Sequence, residues 1–248
     1  MSTYAYSRAY NEDWDELKAN IKSVSSHKEK WPDLIPIFEQ ISAQTAVFIM
    51  IWNVITSLIV YSVDKRNVCG YDASLYMAKN GMEFSVGNMH PESVYSIVTQ
   101  QQKATKYFLK ESTGDQDKTI VNLEGVYKKV TGKYFHFLQQ SVCLETDNNG
   151  QPFLFLSYVY DVSHIKKKGT ANLVITMPKQ IKWWNFNYDT NRLEAVRLLS
   201  TQEKKILFCL AEGKSSKEIA KELFISSLTV DTHRKNLLKK QTVLIQRV

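Results

Sequence analysis

Apolar residues recur along this chain with two different periods, and the changes of period mark out its parts. Tyr10, Trp14, Leu17, Ile21 and Val24 follow one another at spacings of four, three, four and three. That is the stripe of an amphipathic helix, packed on its own domain or paired with its copy in a dimer. Asp33 to Ser42 reads as a second, short helix with Pro32 at its start, where proline is tolerated. The period then shortens. Ala46 to Val63 is uncharged and mostly apolar, about long enough to span a bilayer. It also contains Asn53, Thr56, Ser57, Tyr61 and Ser62, and its β-branched and aromatic residues favour two strands, 46–52 and 57–63, over a membrane helix.

Asn67 to Met82 reads as loops and short helices around Gly70 and Gly81. Pro91 to Lys106 is a longer helix with Val94, Ile97 and Val98 on one side. Three strand-like runs follow, Thr119–Val126, Tyr134–Glu145 and Phe153–Val162. Asp147-Asn148-Asn149-Gly150 separates the last two, a hairpin signal because these residues tolerate positive φ. Residues 169–198 read as a connector. Within it Leu173–Met177 and Ile181–Tyr188 have strand-like composition on either side of Pro178. Trp183, Trp184, Phe186 and Tyr188 carry too much apolar area for a free linker and are expected to pack on a neighbouring domain.

The order of two strands, short helices, a longer helix and three strands resembles a PAS domain. Asn67-Val68-Cys69-Gly70-Tyr71, Met89-His90-Pro91-Glu92 and Asp161-Val162-Ser163-His164-Ile165-Lys166 carry that resemblance. It implies a five-stranded antiparallel sheet with helices on one face, and a domain that senses a small-molecule ligand or a partner.

From Ser200 onward the pattern is helical and punctuated. Ser200-x-x-Glu203 is a capping box, followed by Ile206, Leu207 and Leu210 on one face and a stop at Glu212-Gly213. Ser215 or Ser216 caps a second helix with Ile219, Ala220 and Leu223 inward, and Phe224-Ile225-Ser226 makes a turn. A third helix is expected from about Ser227 to Lys240, with Val230, Leu237 and Leu238 inward and His233 half-buried beside them. Asp231, Thr232, Arg234, Lys235 and Lys239 then lie outward, donors of the kind that read base edges or grip phosphates in the major groove.

This segment resembles the LuxR-type helix-turn-helix at Leu199, Ser200, Glu203, Gly213, Ser215, Lys217, Glu218, Ile219, Ala220, Ile225, Ser226, Thr229, Val230, His233 and Asn236. The resemblance implies base contacts from Asp231, Thr232 and Lys235. It implies phosphate contacts from Lys217, Thr229, Arg234 and Lys239, with Ser226 also on the DNA-binding surface. Where the family continues "Lys-Leu-Gly-Val" into a fourth helix used in dimerisation, this chain reads Lys239-Lys240-Gln241-Thr242-Val243, so that helix is expected to be truncated or absent. Asp231 is also unusual at a position where a cation is common; it suits a cytosine amino group better than a phosphate.

Charge agrees with that division. Ser200 to Val248 holds ten basic and five acidic residues, whereas the whole 248-residue chain has a net charge of +7. A basic segment beside a nearly neutral one suits a polyanion-binding module on a neutral partner domain. Cys69, Cys143 and Cys209 are widely separated and odd in number, which supports neither a disulfide framework nor a zinc site and fits a reducing cytoplasm. The first residues lack the apolar core of a signal peptide. No phosphate-cradling glycine loop, HExxH or nucleophile elbow occurs, so no catalytic residue is assigned and the chain does not read as an enzyme. The five histidines are isolated, so no metal site is assigned. The cofactor is unknown; a heme role for His90 would rest on that residue alone.

The expectation is therefore an α+β chain. It has an N-terminal amphipathic helix (1–31), a PAS-like sensor domain with a five-stranded antiparallel sheet (32–168), a connector (169–198) and an all-α LuxR-type domain (199–248). The function expected is a cytoplasmic, homodimeric transcription regulator that binds double-stranded DNA and senses a small ligand or partner. The alternative is a dimerisation or protein-interaction module with a weak or vestigial DNA-binding part.

Overall fold

The computed structural model describes residues 31–56, 58–110, 114–165, 171–196 and 199–245, without the side chains of 82, 108–110 and 239–245. The helix expected over Tyr10–Val24 lies outside the described residues. The chain is a mixed α/β protein in two compact units, divided between Ala195 and Val196.

The first unit is one antiparallel sheet. Its strands are β1 (Val47–Asn53), β2 (Leu58–Val63), β3 (Ile120–Lys128), β4 (Tyr134–Thr146), β5 (Pro152–Asp161), β6 (Ala171–Met177), β7 (Gln180–Asn187) and β8 (Arg192–Ala195). They lie in the order β2-β1-β5-β4-β3-β6-β7-β8. The uncharged run at Ala46–Val63 is thus a strand pair. β1 is apolar from Val47 to Trp52 because both of its faces are covered, the condition under which strands lose their alternation. Phe48, Met50 and Trp52 face one core together with Phe155 and Val159. Val47, Ile49 and Ile51 face a second core with Leu154, Leu156, Trp31 and Phe38.

Helix α1 (Ile35–Gln44) lies over the second core and starts two residues later than expected. Trp31–Leu34 form a 3-10 turn, and it is Pro36 that occupies the first turn of α1. Over the other face lie α2 (Ala73–Met77), α3 (Gly81–Gly87) and α4 (Pro91–Lys110).

The strand count corrects the five-stranded expectation: the described sheet has eight strands. The segment read as a connector supplies the other three. Its chain crosses over after β5, so that β6 pairs with β3 through Ile120↔Thr176 to Leu123↔Leu173. The reason lies in the pattern of β6, where Ala171, Leu173, Ile175 and Met177 are buried and the residues between them are half-buried. The other part of the reason is α4. Its 20 residues span about 30 Å, enough to reach past β3. Tyr95 meets Phe186 at 5.9 Å and Tyr107 meets Trp184 at 6.0 Å between ring centroids.

Beyond Leu123, no pairing of β3 with β6 occurs among the described residues, and α4 with the residues just before it supplies partners there. His90 N donates to Val126 O at 2.9 Å, Val126 N donates to Ser93 Oγ at 3.0 Å, and the fully buried Gln100 exchanges hydrogen bonds with Glu124 N and O. These bonds satisfy strand groups that burial would otherwise leave at a cost. They also give His90 a structural task at the start of α4. Burial pushes both the Cys69 and Cys143 thiols up to about 12, which suits packing residues rather than nucleophiles.

Candidate nucleic-acid interface

The second unit holds three described helices, α5 (Thr201–Ala211), α6 (Ser216–Leu223) and α7 (Ser227–Ile245). Each begins at a serine. Ser200 Oγ accepts from Glu203 N at 3.2 Å while Glu203 Oε2 accepts from Ser200 N at 2.7 Å. Ser215 and Glu218 repeat the box, with Glu218 Oε2 accepting from Ser215 N at 2.7 Å. The Ser215 hydrogen bonds hold the Glu218 carboxyl below its ordinary pKa. Ser226 Oγ accepts from Thr229 N at 3.0 Å.

Gly213 follows α5 at φ +81°, and Phe224 ends α6 at φ +54°, a left-handed conformation rare for an aromatic residue. These turns bring Ile206, Cys209, Ile219, Val230 and Leu237 into one buried core, with Leu199, Leu210, Ala220, Leu223 and Ile225 around it. Leu238, expected inward, is 63% exposed. Val230 and Leu237 already fill the inward side of the helix, and Leu238 is turned about 100° from Leu237.

α7 continues to Ile245 without a break. No glycine or proline occurs between Lys239 and Ile245, so nothing there stops a helix. The residues at which the family resemblance places a turn and a fourth helix therefore prolong the third.

The polar residues expected to meet DNA fall into three groups. Thr232 and Lys235 are exposed on the outer side of α7, and Lys217 is exposed at the second residue of α6. Asp231 and Arg234 converge on Ser216 at the start of α6: Ser216 Oγ donates to Asp231 Oδ1 at 2.7 Å and accepts from Arg234 Nη1 at 3.0 Å. This bridge clamps the start of α6 against α7 and occupies one oxygen of the carboxylate suggested for a cytosine. In the sequence Ser216 reads only as an alternative cap, because no local pattern reports a bond across 15 residues. Ser226 and Thr229 form the third group, as the cap of α7, with their hydroxyls 2.8 Å apart. Lys239 falls within α7, where its side chain is not among those described.

Residues 197–243 match the model of the bacterial regulatory proteins of the luxR family. Over 57 residues the chain is 51% identical to the CsgBAC operon transcriptional regulatory protein of Escherichia coli, covering 23% of this chain and 26% of that protein. It is 56% identical over 45 residues to the transcriptional regulatory protein YhcZ of Bacillus subtilis, covering 18% and 21% respectively. With the oxygen regulatory protein NreC of Staphylococcus aureus it shares 40% over 57 residues, or 23% and 26%. The chain thus spans about a quarter of the length of each of these relatives. Among solved structures, the VqmA dimer of Vibrio cholerae aligns over 84% of this chain and 80% of its own at 14% identity, with a TM-score of 0.33. The C-terminal unit is a LuxR-type helix-turn-helix domain.

Proposed function

We propose that the chain is a transcription regulator that binds a specific duplex DNA sequence with α7 and answers to a small molecule held by the sheet unit. The observation that carries the DNA half is the outer row of α7. Thr232 and Lys235 stand exposed there, on a helix whose other side closes the core, and Lys217 is exposed on α6. A helix with donors along one side fits the major groove, where each base pair presents a distinct pattern. On this reading Thr232 and Lys235 meet base edges and Lys217 and Lys239 meet phosphates. Asp231 and Arg234 act through the Ser216 bridge as well as toward DNA, and Ser226 and Thr229 fix the start of the reading helix. Relatives named as transcriptional regulators support this assignment.

The sensing half rests on a cavity of about 50 Å³ between the helices and the sheet, lined among others by Met50, Trp52, Met89, Gln101 and Gln139. That is room for a few water-sized volumes, so a larger molecule enters only if lining side chains move aside. Gln139 Nε2 is bonded to Ser141 and Ser157, whereas Gln101 Oε1 is buried without a hydrogen-bond partner. A mostly apolar molecule with one hydrogen-bond donor suits that lining. The strand order β2-β1-β5-β4-β3, with α2 to α4 inserted between β2 and β3, supports the PAS-like assignment of this part. We place the protein in the cytoplasm as a homodimer; no described helix is long and apolar enough to cross a membrane.

Selection of duplexes from a random library by the full chain at physiological salt tests the proposal. Enrichment of one inverted repeat, with affinity that falls steeply with salt, is the expected result. Uniform binding of all duplexes would remove the reading.

A further inference from the structure

Within the outer row of α7 stands one residue that no expectation about DNA contact includes. Leu228 is 76% exposed. It precedes Thr232 by four residues and Lys235 by seven, the spacings that put side chains on one face of a helix. It also sits in the first turn of α7, the end of a reading helix that enters the groove in helix-turn-helix proteins. The Thr232 hydroxyl donates to Leu228 O at 2.9 Å, which fixes the backbone link between the two positions. The core of the unit is made by the opposite side of α7, through Val230 and Leu237, so Leu228 has no packing task there.

A leucine side chain can neither donate nor accept a hydrogen bond. In the major groove the apolar group among base edges is the C5-methyl of thymine. If Thr232 and Lys235 lie against base edges, Leu228 lies between the helix and the DNA as well, and it removes water most favourably over a methyl group. We infer that Leu228 is a specificity-determining residue that packs on a thymine C5-methyl in the major groove. The inference rests on the DNA-binding reading and adds to it a position that the polar residues do not read.

The experiment replaces each thymine of the selected site, one at a time, by deoxyuridine, which removes the methyl and leaves every hydrogen-bonding group in place. Affinities are measured for the full wild-type chain and for Leu228→Ala and Leu228→Met. For the wild type, one thymine per half-site should show a loss of roughly fourfold on methyl removal, the worth of one buried methyl group. Leu228→Ala should bind the thymine and uracil duplexes equally at that position, while Leu228→Met keeps the difference. Equal binding of wild type and Leu228→Ala to a random duplex shows that the variant is folded. If the wild type prefers one sequence but its methyl dependence survives in Leu228→Ala, the inference is overturned and the DNA reading stands. If no sequence is preferred at all, the DNA reading fails and takes the inference with it.

Discussion

In the C-terminal unit, the three serines that start the helices each accept a hydrogen bond from an amide three residues on: Ser200 from Glu203, Ser215 from Glu218 and Ser226 from Thr229. In the sheet unit the bonds that decide the architecture join distant residues. Gln100 reaches Glu124, and Asn172 donates from both its backbone and its side chain to Glu124, 48 residues away. One unit is specified by short-range punctuation over a small core. The other is specified by which strand ends beside which. The difference teaches that local signals tell where helices begin, whereas a sheet's extent depends on what covers its faces.

The largest effects should separate the units. Ile219 is fully buried among five core residues of the C-terminal unit, and Leu173 is fully buried in the larger core of the sheet unit. Truncation of either to alanine should cost about 2–5 kcal/mol. Ile219→Ala should unfold the C-terminal unit and abolish DNA binding while the sheet unit keeps its protection in hydrogen exchange. Leu173→Ala should do the reverse. Loss of protection in both units from either substitution would show that they do not fold separately.

Two effects of about 1–3 kcal/mol come next. A Cβ on Gly125 would stand 2.8 Å from Phe137 Cε1 and 2.9 Å from Ile97 Cδ1, so Gly125→Ala should overpack the sheet unit and lower its denaturation midpoint by about that amount. Lys235→Ala should leave stability unchanged and weaken binding to the selected site by about 1–3 kcal/mol if Lys235 reads a base. An equal loss on all duplexes would make it a phosphate contact instead.

Smaller again are the helix starts. Ser200→Ala and Ser215→Ala should each cost the C-terminal unit about 1 kcal/mol, the usual worth of a serine cap, measured as a shift of its thermal transition alone. A shift several times larger would mean that Glu203, itself buried, loses more than its bond to the cap when Ser200 is changed.

These predictions also mark what the sequence made legible. The capping boxes, the turn at Gly213 and the inward residues Ile206, Ile219 and Val230 were readable because each is a local pattern. So were β1 to β5, whose apolar runs lie between clear turns. The attachment of β6 to β3 was not, since the alternation of Ala171 to Met177 says that one face is buried but not against which strand. β8, Arg192-Leu193-Glu194-Ala195, has a composition that carries no strand signal and forms by pairing with β7. At the interface, the spacing that placed Thr232 and Lys235 outward applied equally to Leu228. A leucine there carries no hydrogen-bonding group, so spacing alone does not distinguish a DNA contact from an ordinary exposed apolar residue.

The smallest effect concerns acid. Lys129 Nζ lies 2.8 Å from Asp161 Oδ2 and also 4.8 Å from the centre of the Phe135 ring. Burial acts to raise the Asp161 pKa, but hydrogen bonds from Lys129 and Ser163 outweigh it and hold the carboxyl below its ordinary value. A carboxylate whose folded pKa is depressed stabilises the fold above its unfolded pKa, near 3.9, and that contribution is lost as the pH falls through the folded value. Lys129→Met keeps an apolar stem of similar length and removes the charge. At pH 7 it should cost the sheet unit no more than about 1 kcal/mol, because both partners are partly exposed. In urea denaturation the difference from wild type should shrink toward zero below the ordinary carboxyl range. A difference that persists in acid would assign the stabilisation to the ammonium over the Phe135 ring, which does not titrate there. Asp161→Asn separates the same two contacts from the other side, since it removes the ion pair and leaves the ring contact intact.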